Sequence, residues 1–286
     1  MRLAALLLAL LLLALPGRAA DLTLAAWNIA WLTTKPSGHP DLPPALIRRG
    51  PADYAVLQGI AAGLEADIIA FQEVDGPLAA ARVFDTTRYA FFFPAEQDTQ
   101  RTGFAVRRGI PVVQNPDLAE LDLRPLARRS LRRGTDITVE VHGRRLRLLS
   151  VHLLAGCREG PLEGRSIACE DLLRQAHILA RWIADRDRAG EAFAIAGDFN
   201  RRLEGEDPFL AILHAASPIL RTTDGRWDGC WGGERPFVDH ILLGGAARSW
   251  FDPRSFRQFL YPAGHPNGRD TLSDHCPIRI TLRLAR

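Results

Sequence analysis

Asp198 and Asn200 stand one residue apart at the end of the apolar run Phe193-Ala194-Ile195-Ala196-Gly197. At the end of a β-strand, residues i and i+2 point to the same side, so this carboxylate and carboxamide can aim at one phosphate or one cation. A second polar group, Ser273-Asp274-His275, precedes an alternating stretch in which Ile278, Ile280, Leu282 and Leu284 are apolar. Asn28, Glu73, His152 and Asp239 occupy comparable positions beside apolar runs. Singly, such a carboxylate is a turn former or helix cap, and such a histidine a surface or core residue. Recurring together, they point to one shared site. Oxygen-rich donors suit a hard divalent cation such as Mg²⁺ or Mn²⁺, and an imidazole backed by a carboxylate suits proton transfer near neutral pH.

The elements that must carry these residues alternate between strand and helix. Strand patterns cover Leu22 to Ile29, Asp67 to Glu73, Phe91 to Pro94, Gly103 to Arg107, Asp136 to Val141, Arg145 to His152 and Phe237 to Leu243, with a His142-Gly143 turn between the fifth and sixth. Helical spacing covers Ala52 to Leu64 and Asp207 to Ala216. It is clearest over Glu170 to Arg188, where Leu172, Ala176, Leu179 and Ile183 form one stripe and Gly190 follows as a stop. Strands interspersed with helices predict a sheet core flanked by helices.

The first residues read as a leader. Arg2 is followed by the unbroken apolar run Leu3 to Leu15 and by Pro16-Gly17-Arg18-Ala19, which predicts a signal peptide over residues 1–19, with cleavage after Ala20 as the alternative. Its 13 apolar residues fall short of the roughly 20 that span a bilayer. The expected product is an exported, periplasmic or extracellular monomer with one domain over residues 20–286. Without Arg2 and Arg18 the balance is 34 basic to 33 acidic residues, which neither requires nor excludes a polyanionic partner. All basic residues but Lys35 are arginine. Clusters such as Arg128-Arg129-Ser130-Leu131-Arg132-Arg133 fit a solvated face as well as a phosphate backbone. Four cysteines in an exported chain predict disulfides, Cys157 with Cys169 around a Gly/Pro/Arg loop and then Cys230 with Cys276. The absence of a close CxxC or of histidines at ligand spacing argues against zinc.

Taken in order, Trp27-Asn28, Gln72-Glu73-Val74, Arg101-Thr102-Gly103-Phe104-Ala105-Val106, Ser150-Val151-His152-Leu153, Gly197-Asp198-Phe199-Asn200, Val238-Asp239-His240 and Ser273-Asp274-His275 resemble the motif series of the endonuclease/exonuclease/phosphatase superfamily. Each motif is weak alone; seven in sequence, from Asn28 to His275, are specific. The resemblance implies an α/β (α+β) four-layer sandwich, with two mostly antiparallel sheets face to face and helices outside. It implies a metal-dependent phosphoric ester hydrolase using Mg²⁺, or Mn²⁺ or Ca²⁺. Glu73 would be the primary metal ligand, assisted by Asn28 and Asp274. Asp198 and Asn200 would hold the nucleophilic water and scissile phosphate, or a second cation. Asp239 would orient His275 as the base, and His152 would donate to a phosphate oxygen or the leaving group, although the two imidazoles can exchange these roles.

His152 is similar to its counterpart in deoxyribonucleases and sphingomyelinases, whereas apurinic/apyrimidinic endonucleases usually carry Asn there. The Glu that backs this histidine in deoxyribonucleases has no evident match in Gln97-Asp98-Thr99-Gln100-Arg101. Arg101 reads either as a phosphate clamp or as a surface arginine at a strand start. A nucleic-acid substrate is the leading expectation. A sphingomyelinase-like phospholipase C and a small-phosphoester phosphatase remain open; the former would need Phe251, Phe256, Phe259, Leu260 and Tyr261 as an exposed lipid-reaching element, whereas a core or loop-packing role is the expected one for this cluster.

Overall fold

The structure, a computed structural model, describes residues 20–125, 131–164 and 166–284. The leader (1–19) and the start of the Arg128 to Arg133 cluster lie outside the described residues. Twelve strands form two six-stranded sheets. In the first, the order is β11 (Arg257–Gln258), β12 (Ile278–Leu284), β1 (Ala20–Leu32), β2 (Ile68–Val74), β4 (Arg101–Arg107) and β3 (Tyr89–Phe92). In the second it is β5 (Val112–Gln114), β6 (Thr135–Val141), β7 (Arg144–His152), β8 (Phe193–Asp198), β10 (Asp239–Gly244) and β9 (Ile219–Arg221). Each sheet has one parallel pair, β1 with β2 and β7 with β8, and is otherwise antiparallel.

The parallel pairs exist because a helix crosses between their strands. Helix α1 (Pro51–Gly63) joins β1 to β2, α2 (Pro77–Ala80) follows β2, α3 (Ile167–Arg188) joins β7 to β8, and α4 (Pro208–Ala216) follows β8. Ser166 caps α3 by accepting from Cys169 N, and Asp207 caps α4 by accepting from Phe209 N and Leu210 N. Both devices occupy backbone donors that the first helical turn leaves free.

Three apolar clusters give the four layers. Leu22, Leu24 and Ala26 of β1 meet Ala194 and Ala196 of β8 and Ile241 and Leu243 of β10 between the sheets. The opposite parity, Ala25, Trp27 and Ile29, packs against Leu57 and Ala61 of α1. Phe193 and Ile195 pack against the α3 stripe of Leu172, Ala176, Leu179 and Ile183. The expected four-layer α/β sandwich is therefore the observed one, and no helix among the described residues is long and apolar enough to cross a membrane.

Boundaries move by a few residues. The Phe91 to Pro94 strand is displaced to Tyr89–Phe92, because Phe93 leaves the sheet to lie 5.0 Å from the Phe71 ring. The short strands β5, β9 and β11 carry too few residues for an alternation to register. Both expected disulfides are present, Cys157 to Cys169 and Cys230 to Cys276.

Candidate active site

The position of the site follows from strand parity. Residues facing the inter-sheet core are apolar along most of each strand and turn polar at one common end, giving Asn28 on β1, Gln72 on β2, Ser150 and His152 on β7, Asp198 on β8 and Asp239 on β10. The sheets are stitched there by polar contacts. Gln72 donates to Ser150 Oγ (3.0 Å), the hydroxyls of Thr102 and Thr135 meet at 2.8 Å, and Asn28 Nδ2 donates to Asp198 Oδ2 (3.1 Å). All are desolvated, and the pairing offsets what burial of a lone polar group would cost.

Glu73 arrives differently. The β1–β2 register shifts between Asn28 and Leu32, and Ala30, Trp31 and Glu73 adopt left-handed backbone conformations (φ 41°, 54° and 61°). Such conformations cost non-glycine residues free energy and persist only where surroundings enforce them. The kink turns Glu73 into the site, where Oε1 accepts from Asn28 Nδ2 (3.1 Å) and Oε2 from Trp31 N (3.0 Å). Arg49 holds the kink in place. Its buried guanidinium donates to the carbonyls of Ile29 (2.7 Å), Ala30 (2.6 Å), Trp31 (3.2 Å) and Leu272 (2.8 Å), joining the end of β1 to the segment that carries Asp274 and His275. Burial lowers the Arg49 pKa, against the pull of nearby Tyr54, Tyr261, Asp53 and Glu73. Sequence reading gave Arg49 no role, since a guanidinium bound to main-chain carbonyls leaves no motif.

The last site segment is fixed from several sides. Ser273 Oγ donates to Asn28 O (2.8 Å) and accepts from His275 N (3.0 Å), Trp231 Nε1 donates to Ser273 O (2.9 Å), and Tyr261 Oη donates to His275 O (3.1 Å). Cys276 is bridged to Cys230. His275 Nδ1 thus lies 2.7 Å from Asp239 Oδ2, and its Nε2 lies 3.8 Å from both Asp198 Oδ2 and Asp274 Oδ1.

His152 Nε2 lies 3.7 Å from Glu73 Oε1 and 3.6 Å from Asp198 Oδ2. The Gln100 backbone weakly favours its charged form, yet no group among the described residues reaches hydrogen-bond geometry with the buried Nδ1. No glutamate among the described residues backs this ring; Glu96, on the neighbouring segment, accepts from Arg133 N instead (3.1 Å). Asn200 (φ 52°) turns back on Asp198, its N donating to Oδ1 (2.7 Å) and its Nδ2 to Oδ2 (3.2 Å), and the same Nδ2 donates to Leu153 O (3.0 Å).

The site's electrostatics separate its two imidazoles. Burial, then the positive charges of Arg132 and His275, holds His152 well below the ordinary histidine range. Burial would also lower His275, but the carboxylates of Asp239 and Asp198 outweigh it and raise His275 well above that range. Asp198 is pushed up to about 6, chiefly by burial, and burial raises Asp239 as well. Without a cation, therefore, the site favours charged His275 and neutral His152, whereas the sequence reading expected His275 near neutrality.

Asn28, Glu73, His152, Asp198, Asn200, Asp239, Asp274 and His275 are thus linked by one chain of contacts. Arg101 stands outside it. Its guanidinium lies over the Phe93 ring (5.3 Å), 3.9 Å from Asp75 Oδ1, and donates to Glu96 O (3.3 Å). The proposed lipid-reaching aromatics also point elsewhere: Phe256 and Tyr261 are buried, Phe251 and Phe259 pack against the cores, and Leu260 is the exposed member.

Two clefts flank the site. One of about 310 Å³ is lined by Trp31, Gln100, Arg124, Arg132 and Leu154, with acidic Asp41 and Asp98. The other, about 90 Å³, contains Asp239, Asp274 and His275 among arginines. A further cavity, about 430 Å³, lies away from these residues, beside Gln58, Phe84 and Arg88.

Comparison by sequence with curated proteins yields no match. Among solved structures, the chain is similar to truncated TDP2 from Caenorhabditis elegans (16% identity, TM-score 0.57, covering 92% of this chain and 97% of that one). It is also similar to the AP endonuclease LMAP from Leishmania major (13%, 0.58, 92% and 88%) and to the 3' phosphatase NExo from Neisseria bound to product DNA hairpin (15%, 0.56, 91% and 98%). At these identities the likeness concerns the fold. The model of the Endonuclease/Exonuclease/phosphatase family matches residues 25–275, and the chain belongs to that family.

Proposed function

We propose that the protein is an exported, divalent-metal-dependent phosphodiester hydrolase acting on a nucleic-acid backbone. The observation that carries this reading is the convergence, at one rim, of the Asp239–His275 pair, His152 and the Asp198–Asn200 turn beside the oxygen donors Glu73 and Asn28.

The donor chemistry fits a hard cation. Glu73 and Asp274 offer carboxylate oxygen. Asn28 would offer its carboxamide oxygen once that group turns over, since Nδ2 now faces Glu73 and Asp198 and Oδ1 accepts from Ala30 N (2.9 Å). Asp198, Asp239 and His275 offer ligand atoms within 4.8 Å of one another. Asp239 also keeps a buried oxygen, Oδ1, with no hydrogen-bond partner among the described residues. We assign the cation, Mg²⁺ or else Mn²⁺ or Ca²⁺, to Glu73, Asn28 and Asp274, because Asp239 and His275 already engage each other. When bound, it neutralises charge on the phosphate oxygens and on the departing alkoxide.

The remaining work falls to the chain's own residues. Asp239 fixes His275 Nδ1, so that in the neutral form of His275, which a nearby bound cation would favour over the charged one, Nε2 is left to take the proton of the attacking water. Asp198 and Asn200 orient that water and the scissile phosphate. With its proton on Nε2, the nitrogen that faces Glu73 and Asp198, neutral His152 can donate to a non-bridging oxygen. The new water oxygen–phosphorus bond forms as the bond to the leaving oxygen breaks. Arginines on both flanks support a substrate that continues past the scissile phosphate, and the inward-facing aromatics leave the lipid reading without its element.

Plasmid DNA offered to the purified chain with Mg²⁺, with EDTA, and beside His275→Ala and a parallel sphingomyelin assay tests the proposal. Metal-dependent nicking that disappears in the variant is the expected result. Intact DNA with turnover of sphingomyelin or of a small phosphoester overturns the nucleic-acid assignment.

A further inference from the structure

We infer that Arg158 and Arg269 form an anion subsite on the His275 side of the centre, which takes the phosphate next to the scissile one along a polynucleotide. This inference rests on the nucleic-acid reading above and names a contact that reading does not require. The two residues line the 90 Å³ cleft together with Arg202, Arg235, Asp239 and His275. Arg202 is paired with Glu159 (2.7 Å) and Arg235 with Asp228 (2.9 Å). Arg158 and Arg269 are exposed and carry no ion pair among the described residues. They are the arginines of this cleft left to meet an anion.

The backbones that present the two side chains are anchored. Arg158 follows Cys157, which is bridged to Cys169, and its carbonyl accepts from Arg202 N (2.8 Å). Beneath the same loop lies Arg201, fully buried, paired with Asp207 at 2.8 Å and donating to Cys157 O (3.0 Å) and Gly160 O (2.5 Å). A buried ion pair gains little for stability unless its remaining donors are satisfied, and here the loop's own carbonyls satisfy them. The arrangement uses a buried charge to hold the Arg158 loop in one conformation. Arg269 sits in the turn Gly268–Thr271, whose Gly268 approaches the Trp231 ring too closely for a side chain. Trp231 is in turn stacked on Tyr261 (5.3 Å), and His265 of the preceding loop is tied to Asp53 (2.7 Å). Exposed arginine tips on fixed backbones leave only the side chains to be ordered when a phosphate binds, and each such contact releases counterions from the polymer.

The test compares a short oligodeoxynucleotide with bis(4-nitrophenyl) phosphate, a diester with no neighbouring phosphate. Both are assayed with wild type, Arg158→Ala, Arg269→Ala, the double variant and the double Arg→Lys variant. Each alanine lowers kcat/KM on the oligonucleotide severalfold, and the double alanine variant, which leaves the one phosphate without either arginine, makes its dependence on log salt shallower by roughly one. Turnover of the small diester stays at the wild-type level, and the lysine variant keeps most of the salt dependence. Equal losses on both substrates, or an unchanged salt slope in the double alanine variant, overturn the subsite while leaving the nuclease reading intact. A wild-type protein that hydrolyses the small diester but leaves the oligonucleotide uncut overturns both.

Discussion

The two sheets are built on the same crossover, β1–α1–β2 in one and β7–α3–β8 in the other, and each delivers side chains to the rim from the ends of its parallel strands. They do so by opposite means. The β7–β8 pair keeps its register from Arg147 opposite Phe193 to His152 opposite Asp198, so both residues follow from simple alternation. Gly197 permits this close pairing, because a side chain there would collide with Val151 O and its φ is 144°. The β1–β2 pair breaks register, passes through three left-handed residues and needs Arg49 to hold the kink. An arginine gripping main-chain carbonyls serves each crossover, half-buried Arg49 within the first and buried Arg201, just after β8, on the loop that follows β7 in the second. Arg201 has Asp207 as counter-ion and the Cys157–Cys169 bridge beside it. Arg49 lacks an ion-pair partner among the described residues and lies in the field of Glu73. We read Asp239, on β10 beside the regular pair, together with His275, which it orients across the rim from the segment before β12, as the arm for proton transfer, and the kinked half as the arm that shapes the cation site.

Breaking the halves separately sharpens that division. Asp239→Asn and His275→Ala are expected to reduce kcat by about 10²- to 10⁴-fold without changing the Mg²⁺ concentration that half-saturates activity. A matching shift in that concentration would dissolve the distinction. Replacing Cys157 and Cys169 together by Ser should cost about 3 kcal/mol of stability by the chain-entropy argument, read as a lower denaturant midpoint, and should leave cation dependence untouched. Arg49→Met, in the kinked half, is expected to raise the half-saturating Mg²⁺ or Mn²⁺ concentration by about 10- to 100-fold, with a Tb³⁺ binding titration showing the same weakening apart from turnover.

The smallest effect belongs to Glu96, beside the larger cleft, whose carboxyl is pushed up to about 7 mainly by burial, opposed by the hydrogen bond from Arg133 N. The folded state then holds this proton more tightly than the unfolded chain. Glu96 therefore adds no penalty below its ordinary value of 4.5 and progressively destabilises the fold as pH rises from there to about 7. Glu96→Gln should remove that decline, a difference of about 2 kcal/mol near pH 8 once residual solvent contact is discounted. Parallel pH–stability curves for the two proteins would refute it.

The same division explains what was legible in the sequence. Asp198 and His152 close apolar runs and Asp239 opens one, and a switch between apolar and polar residues is what a sequence displays. Asn28 shares the parity of Leu22 and Leu24, so its direction followed too. The position of Glu73 depends on a register shift, and Ala30-Trp31 carries no turn residue that announces one. Arg49 binds carbonyls, which every residue possesses. The inward direction of the Phe251 to Tyr261 aromatics was likewise set by packing, with Tyr261 accepting from Trp27 Nε1 at 2.8 Å across 234 positions of sequence.

The pairing of β1 with β12 has a consequence for synthesis. Ala20 lies opposite Leu284, and Ser273 bonds to Asn28 across 245 positions. Contacts of such long range form late, since the intervening chain must first lose its freedom. While β12 is still on the ribosome, Asn28 lacks Ser273 and His275 has not reached Asp239. The Asp239–His275 pair and the Ser273–Asn28 bond are therefore completed only when β12 docks on β1, so the rim is assembled last.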